Sequence, residues 1–478
     1  MTERRRHEDH PVVIVGAGPA GISAAVQLAS AGVRSVVIDE NPRPGGVVYR
    51  GPLRAGAQAT HLEEKWKERV ADLRASLELH AERIDLRMNT QVLGPMHGHD
   101  RLALLESHKR TYTVDAGSVI LCTGCYEWTA PFPGWTLPGV MTVGGAQIQI
   151  KSGLVKPGER AVLVGTGPLL LVAARQMHMA GIEVLGVFEA GRRVDLVKNV
   201  FGLLKNNPLL REGLDYLSYL EKARIPVRYG WGIVEACGRD RVEEIVVAPY
   251  DREWRPARDK ALTLSGDLLA VEHGLVPRTQ LAQLLGVEHT SCHGIGLKPV
   301  TDPWGRTSRK GLYVAGDAGG IYGAQAAAES GKLSASAHLV DSGRWPAEEA
   351  EREAGPAAKR LARYVAFRDA FDDFSRIRPG LVDLPPADTV VCRCENVTRG
   401  QVDEAIACGA MDVTTVKMTT RAGMGDCQGK TCSGYLYARL RQKLQREDVG
   451  QLRPRFPLAQ VTLGAFLSTP EPETERFA

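Results

Sequence analysis

The sequence predicts an α/β protein in which two nucleotide-sized βαβ domains are followed by a small cysteine-bearing domain. Three observations predict it. A short apolar run, Pro11–Val15, meets the turn Gly16-Ala17-Gly18-Pro19-Ala20-Gly21 and then a helical stretch through Ala31. The same order recurs at Arg160–Val164, Gly165-Thr166-Gly167-Pro168 and a helix to about Ala180. Five of the nine cysteines fall after residue 390.

Length and composition agree. A chain of 478 residues is too long for one core, and 44% hydrophobic with 24% charged residues is ordinary for a globular protein. The formal net charge is only +4 and no basic stripe dominates, so no nucleic-acid partner is expected. No run of about eighteen apolar residues occurs, so no membrane-spanning helix is expected. Thr2 to His10 is polar and basic without the apolar core of a signal peptide, and residues 1–10 read as a disordered start. The odd, unevenly spread cysteines do not form a secreted disulfide framework, so a cytoplasmic setting is expected.

Taken in order, Ser35–Ile38 closes the first βαβ unit and Ser118–Leu121 is a third strand leading into Cys122-Thr123-Gly124. Glu183–Phe188 closes the second unit. The late apolar strand Gly311–Ala315 ends in Gly316-Asp317, which implies that the first domain is discontinuous, 11–135 with 285–345, and that 136–284 is inserted in it. Residues 346–386, rich in Glu, Arg and Ala around Pro356 and Pro379, read as a helical linker. The cysteine domain spans 387–450 as a separate unit, and 451–478 is a tail, frayed from Pro470.

In the first turn, Gly16 permits the sharp bend, Gly18 lets backbone approach a pyrophosphate and Gly21 lets the helix pack on the sheet. The helix N-terminus then offers unpaired N–H groups and a positive dipole end. Glu40 ends the second strand, where a carboxylate binds ribose hydroxyls, and Asp39 competes for that role. The second turn has Gly165 and Gly167 but carries Leu170 at the third glycine position. A leucine there is expected to push the helix from the strand and weaken a pyrophosphate site. Glu189 favours NAD over NADP, Arg192 and Arg193 blur that preference, and a scaffold or another nucleotide is the alternative.

Cys392-Arg393-Cys394 and Cys427-Gln428-Gly429-Lys430-Thr431-Cys432 make a four-thiolate set. In an extended segment Cys392 and Cys394 project to the same side and can share an iron. Four thiolates suit a [2Fe–2S] cluster; zinc fits the one-residue gap poorly, and two unrelated thiol pairs are the plainest alternative. Cys408, on a helix after Thr398, reads as core. Cys122 and Cys125 form a C-x-x-C pair at a strand end instead of a helix start, which favours local packing over a redox dithiol.

With Asn41-Pro42-Arg43-Pro44-Gly45-Gly46, Thr123-Gly124 and Gly316-Asp317, the chain resembles the two-dinucleotide-binding-domain flavoproteins of the glutathione-reductase and thioredoxin-reductase type. The resemblance implies an FAD held by Gly16, Gly18, Pro19, Ala20 and Gly21, by Asp39 or Glu40, and by Arg43, Gly45 and Gly46. Thr123, Gly124, Gly316 and Asp317 complete the site, with Asp317 accepting a ribityl hydroxyl. Residues 136–284 become a second, degenerate NAD-type Rossmann domain, with Gly165, Gly167 and Glu189 as its site. Cys392, Cys394, Cys427 and Cys432 resemble the ligands of a bacterioferritin-associated-ferredoxin-like [2Fe–2S] domain.

A narrower resemblance rests on Asp39–Gly46, Pro131–Met141, Gly165–Leu170 and Thr420–Gly429. These segments are similar to the FAD and [2Fe–2S] subunit of heteromeric bacterial amino-acid and amine dehydrogenases. That family includes the larger FAD-binding subunits of hydrogen cyanide synthase, opine oxidase and D-hydroxyproline dehydrogenase and, more distantly, the alpha chain of sarcosine oxidase. It implies a partner subunit of the D-amino-acid-oxidase type that oxidises glycine, an opine or a cyclic imino acid at its own flavin. Some relatives add an FMN at the subunit interface and a small ferredoxin-like [2Fe–2S] subunit. Val47-Val48 stands where many relatives have Gln-Ile, and Cys122 and Cys125 also depart from the pattern. No residue is a convincing acid or base for C–N chemistry. The expectation is therefore an electron-transfer subunit that feeds a respiratory-type acceptor, at the inner face of the membrane if that acceptor is membrane-bound. A stand-alone NAD(P)H-dependent reductase is the alternative, and a scaffold without cofactors is the third reading.

Overall fold

The computed structural model describes residues 11–54, 57, 63–96, 101–198, 202, 207–292 and 294–468. The expectations of a disordered start and of fraying from Pro470 lie outside them. Val12–Val15 is a run of β-branched residues buried on both faces, which only the middle of a covered parallel sheet satisfies. It pairs in register with Ser35–Ile38 on one side and Ser118–Leu121 on the other. Ile84–Arg87 and the late strand Leu312–Val314 form the two edges, also parallel. One face carries the helices Pro19–Ser30 and Ala324–Asp341, packed so closely that a Cβ at Gly331 would stand 2.0 Å from the Ala20 carbonyl oxygen. The other face is covered by the antiparallel meander Thr90–Met96, Arg101–Glu106 and Arg110–Asp115.

The second sheet repeats the plan with Arg160–Gly165 at its centre, in the order Val227–Tyr229, Glu183–Glu189, Arg160–Gly165, Leu268–Glu272, Val140–Thr142. Leu170 is fully buried among Ala173, Ala174 and Met177. Its helix, Leu169–Met179, starts one residue later in the motif than Pro19–Ser30, which makes the room that a glycine would otherwise have to leave. Between the sheets, Cys125–Glu127 pairs with Leu275–Pro277, so the chain crosses between domains as a two-stranded ribbon.

The linker is a long helix, Ala347–Ser375, which continues through Pro356 and lies on the Ala324–Asp341 helix, followed by the short helix Pro379–Asp383. The cysteine domain follows, with the strands Val390–Cys392 and Val397–Thr398 and the helices Arg399–Ala407, Val413–Thr420 and Ser433–Leu444. It packs against the second domain. Val391, Val416 and Tyr435 share one core with Trp135 and with Phe188 and Val271 of the second domain, and the Trp135 indole donates to the Val390 carbonyl at 2.7 Å. Cys408 is exposed instead of core, because the helix ends at Ala407 and the chain turns away from the face that buries Val402 and Ala405. Residues 451–468 form a strap instead of a loose tail. The Leu458 N–H donates to the Leu93 carbonyl at 2.8 Å, and Ala465 is buried with Leu93, Ala103 and Leu105.

Arg439, 2% exposed, ties this domain together through two 2.7 Å bonds to Asp403 and one of 2.6 Å to Asp383. The guanidinium holds the Asp403 carboxyl below its ordinary value against the cost of burial, so this stability is present at neutral pH and falls away as acid protonates Asp403. Replacing Arg439 by Met strands Asp403 without its partner and is expected to cost about 2–4 kcal/mol, most of it at Asp403 because Asp383 is half exposed. Thermal melting at pH 7 measures it, and an unchanged transition would show that the triad adds no stability.

Candidate functional site

A cavity of about 1300 Å³ runs between the two sheets and is lined by both glycine turns. At the first turn a Cβ on Gly16, at φ +109°, would stand 2.2 Å from the Cys122 carbonyl oxygen, and one on Gly21 would stand 1.8 Å from the Gly16 carbonyl oxygen. Gly18 caps the Pro19–Ser30 helix without a side-chain bond and with no acid in the first turn, so its unpaired N–H groups face the cavity beside Pro19 and Ala20. The Gly45 N–H donates to the Ala17 carbonyl at 2.7 Å, which seats Gly46 against Gly18.

The two competing acids both line the cavity and differ in what they bond. Asp39 is committed to the turn itself, accepting from the Ala17 N–H at 2.7 Å and the Asn41 N–H at 2.8 Å. Glu40 faces the cavity with its partner Arg278 at 2.8 Å. Burial opposes its ionisation, but Arg278, Lys430 and Gln91 together hold it below the usual carboxylate range. An ionised carboxylate can accept ribose hydroxyls. Arg43 donates to the Pro52 carbonyl at 2.8 Å and does not line the cavity. The neighbouring arginine that does is Arg50, which the motif did not single out.

Thr123 and Gly124 line the cavity, with the Thr123 hydroxyl donating to the Arg278 carbonyl at 2.7 Å. Asp317 accepts from the Tyr322 N–H at 3.2 Å and the Gly323 N–H at 3.4 Å, and burial raises its carboxyl. Its main task here is to hold the loop that starts the Ala324–Asp341 helix, whose uncapped N-terminus at Gly323 and Ala324 reaches the cavity. Gly316, at φ +68°, packs on Ala20. Burial drives the Cys122 and Cys125 thiols far up, with Asp317 also opposing the Cys125 thiolate at 3.8 Å, so neither is offered as a nucleophile.

The second turn differs in kind. Glu189 accepts from the Gly167 N–H and the Gly191 N–H, both at 2.8 Å, and burial pushes it up to about 7. It therefore occupies the turn instead of waiting for a ribose. Glu272 is raised well above the ordinary range by burial and by Glu127 and Glu189, with its Oε2 buried and unbonded. Carboxyls crowd where a pyrophosphate would lie.

Sequence reasoning also missed Lys151, on a one-turn π-helical segment Gln149–Gly153. It is 5% exposed, lines the cavity and has no carboxylate beside it among the described residues; burial and Arg50 lower it to about 8. Its burial was invisible because one lysine in an amphipathic stretch carries no motif.

At the cysteines, the strand ends at Cys392 and Cys394 lies in the following turn, so the expected extended segment is a turn that folds back because Asn396 adopts φ +53°. The four thiols form two neighbouring pairs, Cys392 with Cys432 and Cys394 with Cys427. The Cys432 thiol donates to Cys392, and backbone N–H groups of Gly423, Glu395 and Cys394 help bring Cys392 to about 6. Among the described residues no three His, Cys, Asp or Glu side chains are already gathered as a metal cage. The donor set nevertheless fits a two-iron cluster: all sulfur, paired two and two, with backbone N–H groups aimed at a sulfur and Cys432 at the start of the Ser433–Leu444 helix.

Comparison with known proteins meets this geometry. Residues 10–331 match the family model described as pyridine nucleotide-disulphide oxidoreductase. The chain belongs to that family. Residues 390–439 of this oxidoreductase match the BFD-like [2Fe-2S] binding domain, so its cofactors are FAD and a [2Fe–2S] cluster. It is 44% identical to the hydrogen cyanide synthase subunit HcnB of Pseudomonas protegens over 95% of this chain and 97% of that one. It is 33% identical to an opine oxidase subunit of Rhizobium meliloti over 97% of this chain and 88% of that one. The crystal structure of L-proline dehydrogenase from P. horikoshii superposes with a TM-score of 0.66 at 20% identity, covering 95% of this chain and 79% of that one. The flavoprotein fold with a ferredoxin-type C-terminal domain is as the sequence implies.

Two outcomes test the site in this oxidoreductase. Cys432→Ser is expected to remove the iron and the cluster's visible absorbance from a chain that stays folded; full retention of iron would exclude Cys432 as a ligand. Lys151 sits below its unfolded value of about 10.4, so the folded state carries its desolvation cost below pH 8 and sheds it as pH rises towards 10.4. Lys151→Met is therefore expected to stabilise the cofactor-free chain by about 2–3 kcal/mol at pH 7, with the gain vanishing in alkali. Melting curves at pH 7 and pH 10 read it.

Proposed function

We propose that the chain is the flavin and iron–sulfur electron-transfer subunit of a heteromeric amino-acid or amine dehydrogenase. The observation that carries this reading is the adjacency of the two cofactor sites: Lys430, between Cys427 and Cys432, lines the same cavity as the first glycine turn. FAD, when bound, takes up electrons in pairs and a [2Fe–2S] cluster passes them singly. The chain's own residues bind and orient. The N–H groups around Gly18 hold the pyrophosphate, Glu40 holds the ribose, and the Ala324–Asp341 helix turns its positive end to the flavin side. Cys392, Cys394, Cys427 and Cys432 hold the cluster.

The relatives named as subunits of hydrogen cyanide synthase and opine oxidase support a partner chain. In our reading that partner is a D-amino-acid-oxidase-like flavoprotein that oxidises glycine, an opine or a cyclic imino acid, with a small ferredoxin-like subunit in some assemblies. Electrons leave to a respiratory-type acceptor. No helix among the described residues is long and apolar enough to cross a membrane, so the proposal places any membrane contact at the surface.

The reductase alternative needs NAD(P)H at the second turn, and the bonds from Gly167 and Gly191 to Glu189 speak against it. Mixed with NADH under argon, the purified chain is expected to keep its oxidised flavin spectrum, and to bleach when the partner and its amine are added. Rapid bleaching by NADH alone would reverse the assignment.

A further inference from the structure

The cluster loop is built into the wall of the first nucleotide cavity. Lys430 lines the cavity together with Leu458 and Ala459 of the C-terminal strap. Its charge acts on Glu40, which Arg278 grips at 2.8 Å. On the same side Cys427 lies within electrostatic reach of Tyr126. The Tyr126 ring lies under the Arg278 guanidinium at 4.8 Å, and its hydroxyl bonds Gln280. Charge interactions thus link the cluster loop to the Arg278–Glu40 pair.

The loop is costly to order on its own. Arg421, Gly423, Gln428 and Gly429 all hold φ between +52° and +85°, where glycine loses the most freedom on folding and other residues are strained. The strap braces it. Leu452 packs over Gly423 and Gly429, and the Gln460 amide donates to Asp426 at 2.9 Å. The strap's far end is anchored in the first domain, where the Leu458 N–H reaches the Leu93 carbonyl at 2.8 Å and the Ser468 hydroxyl reaches the Lys109 carbonyl at 3.1 Å. Any shift of the loop displaces a wall of the nucleotide cavity.

We propose that the cluster-binding loop doubles as a latch on the ribose end of bound FAD, with Lys430 as the cation it contributes, so that cluster assembly and FAD binding strengthen each other. The inference rests on the assignment of FAD to the first cavity and of the cluster to the four thiols. Iron ligation orders the loop before FAD arrives and removes that ordering cost from FAD binding, and by reciprocity bound FAD retains the iron. Arg278 pairs directly with Glu40, and Lys430 adds a second positive charge at the cavity wall for the anionic dinucleotide.

The test uses the full chain, stripped of flavin and titrated with FAD by flavin fluorescence, with iron per chain measured alongside. Cluster-free Cys394→Ser protein is expected to bind FAD about tenfold more weakly than cluster-loaded wild type. Lys430→Met, with its iron retained, is expected to lose about three- to tenfold and to show a shallower salt dependence, and Lys430→Arg to recover most of the loss. FAD is expected to slow removal of iron by a chelator. Equal FAD affinity in wild type, Lys430→Met and cluster-free protein, with both cofactors present in wild type, would overturn the latch alone. A wild-type chain that takes up no FAD or no iron would overturn the underlying assignment and the latch with it.

Discussion

The molecule depends on one steric constraint: at the end of each central strand, backbone must touch backbone. The Gly16 and Gly165 positions sit so close to the carbonyls of Cys122 and Glu272 that a Cβ would lie within 2.2 Å and 1.7 Å of them. Because these contacts are allowed, the strand turns sharply, the following helix points its N-terminus into the space between the sheets, and one long cavity results. In the first unit the third glycine, Gly21, lets the helix come fully home. In the second, Leu170 is buried, the helix starts one residue later, and Glu189 bonds the turn with Glu272 close by. Two copies of one scaffold thus diverge through side chains added where the plan has glycine or open space.

Charge inside the cavity is distributed unevenly, and the imbalance has a physical logic. Around the first turn the buried cations Arg50 and Lys151 stand at the walls, with Arg278 beside them balancing Glu40. Around the second turn the buried groups are carboxyls raised towards neutrality by burial and by one another. Cations thus stand at one end of the cavity, and carboxyls that burial keeps towards neutrality stand at the other. The stability that isolated buried charges cost is supplied by packing elsewhere, notably the core that the second domain shares with the cysteine domain.

That shared core also explains why the cysteine domain cannot be understood as a bead on a string. Trp135 bonds across to Val390, Arg439 braces the inner helices, and the strap runs back to the first domain's meander. A cluster site held in this way keeps a fixed distance to the nucleotide cavity, which is what transfer of electrons between two centres requires.

The chain's order of residues alone determined the strands Val12–Val15 and Arg160–Gly165, the glycine turns, the late return of Leu312–Val314 to the first sheet and the four thiols. Each rests on local rules: a run of β-branched residues needs burial on both faces, a turn at positive φ needs glycine, and sulfur spacing limits what it can ligate. The folded molecule alone decided the rest. It tied Asp39 into the turn and paired Glu40 with Arg278, turned Arg43 away and Arg50 in, put Cys394 in a turn and Cys408 on the surface, and set Lys430 within charge reach of Glu40. These outcomes hang on which of two adjacent side chains faces inward, or on residues hundreds of positions apart meeting. Neither can be read from a strand's or helix's own pattern, because the energy that selects them belongs to contacts between elements.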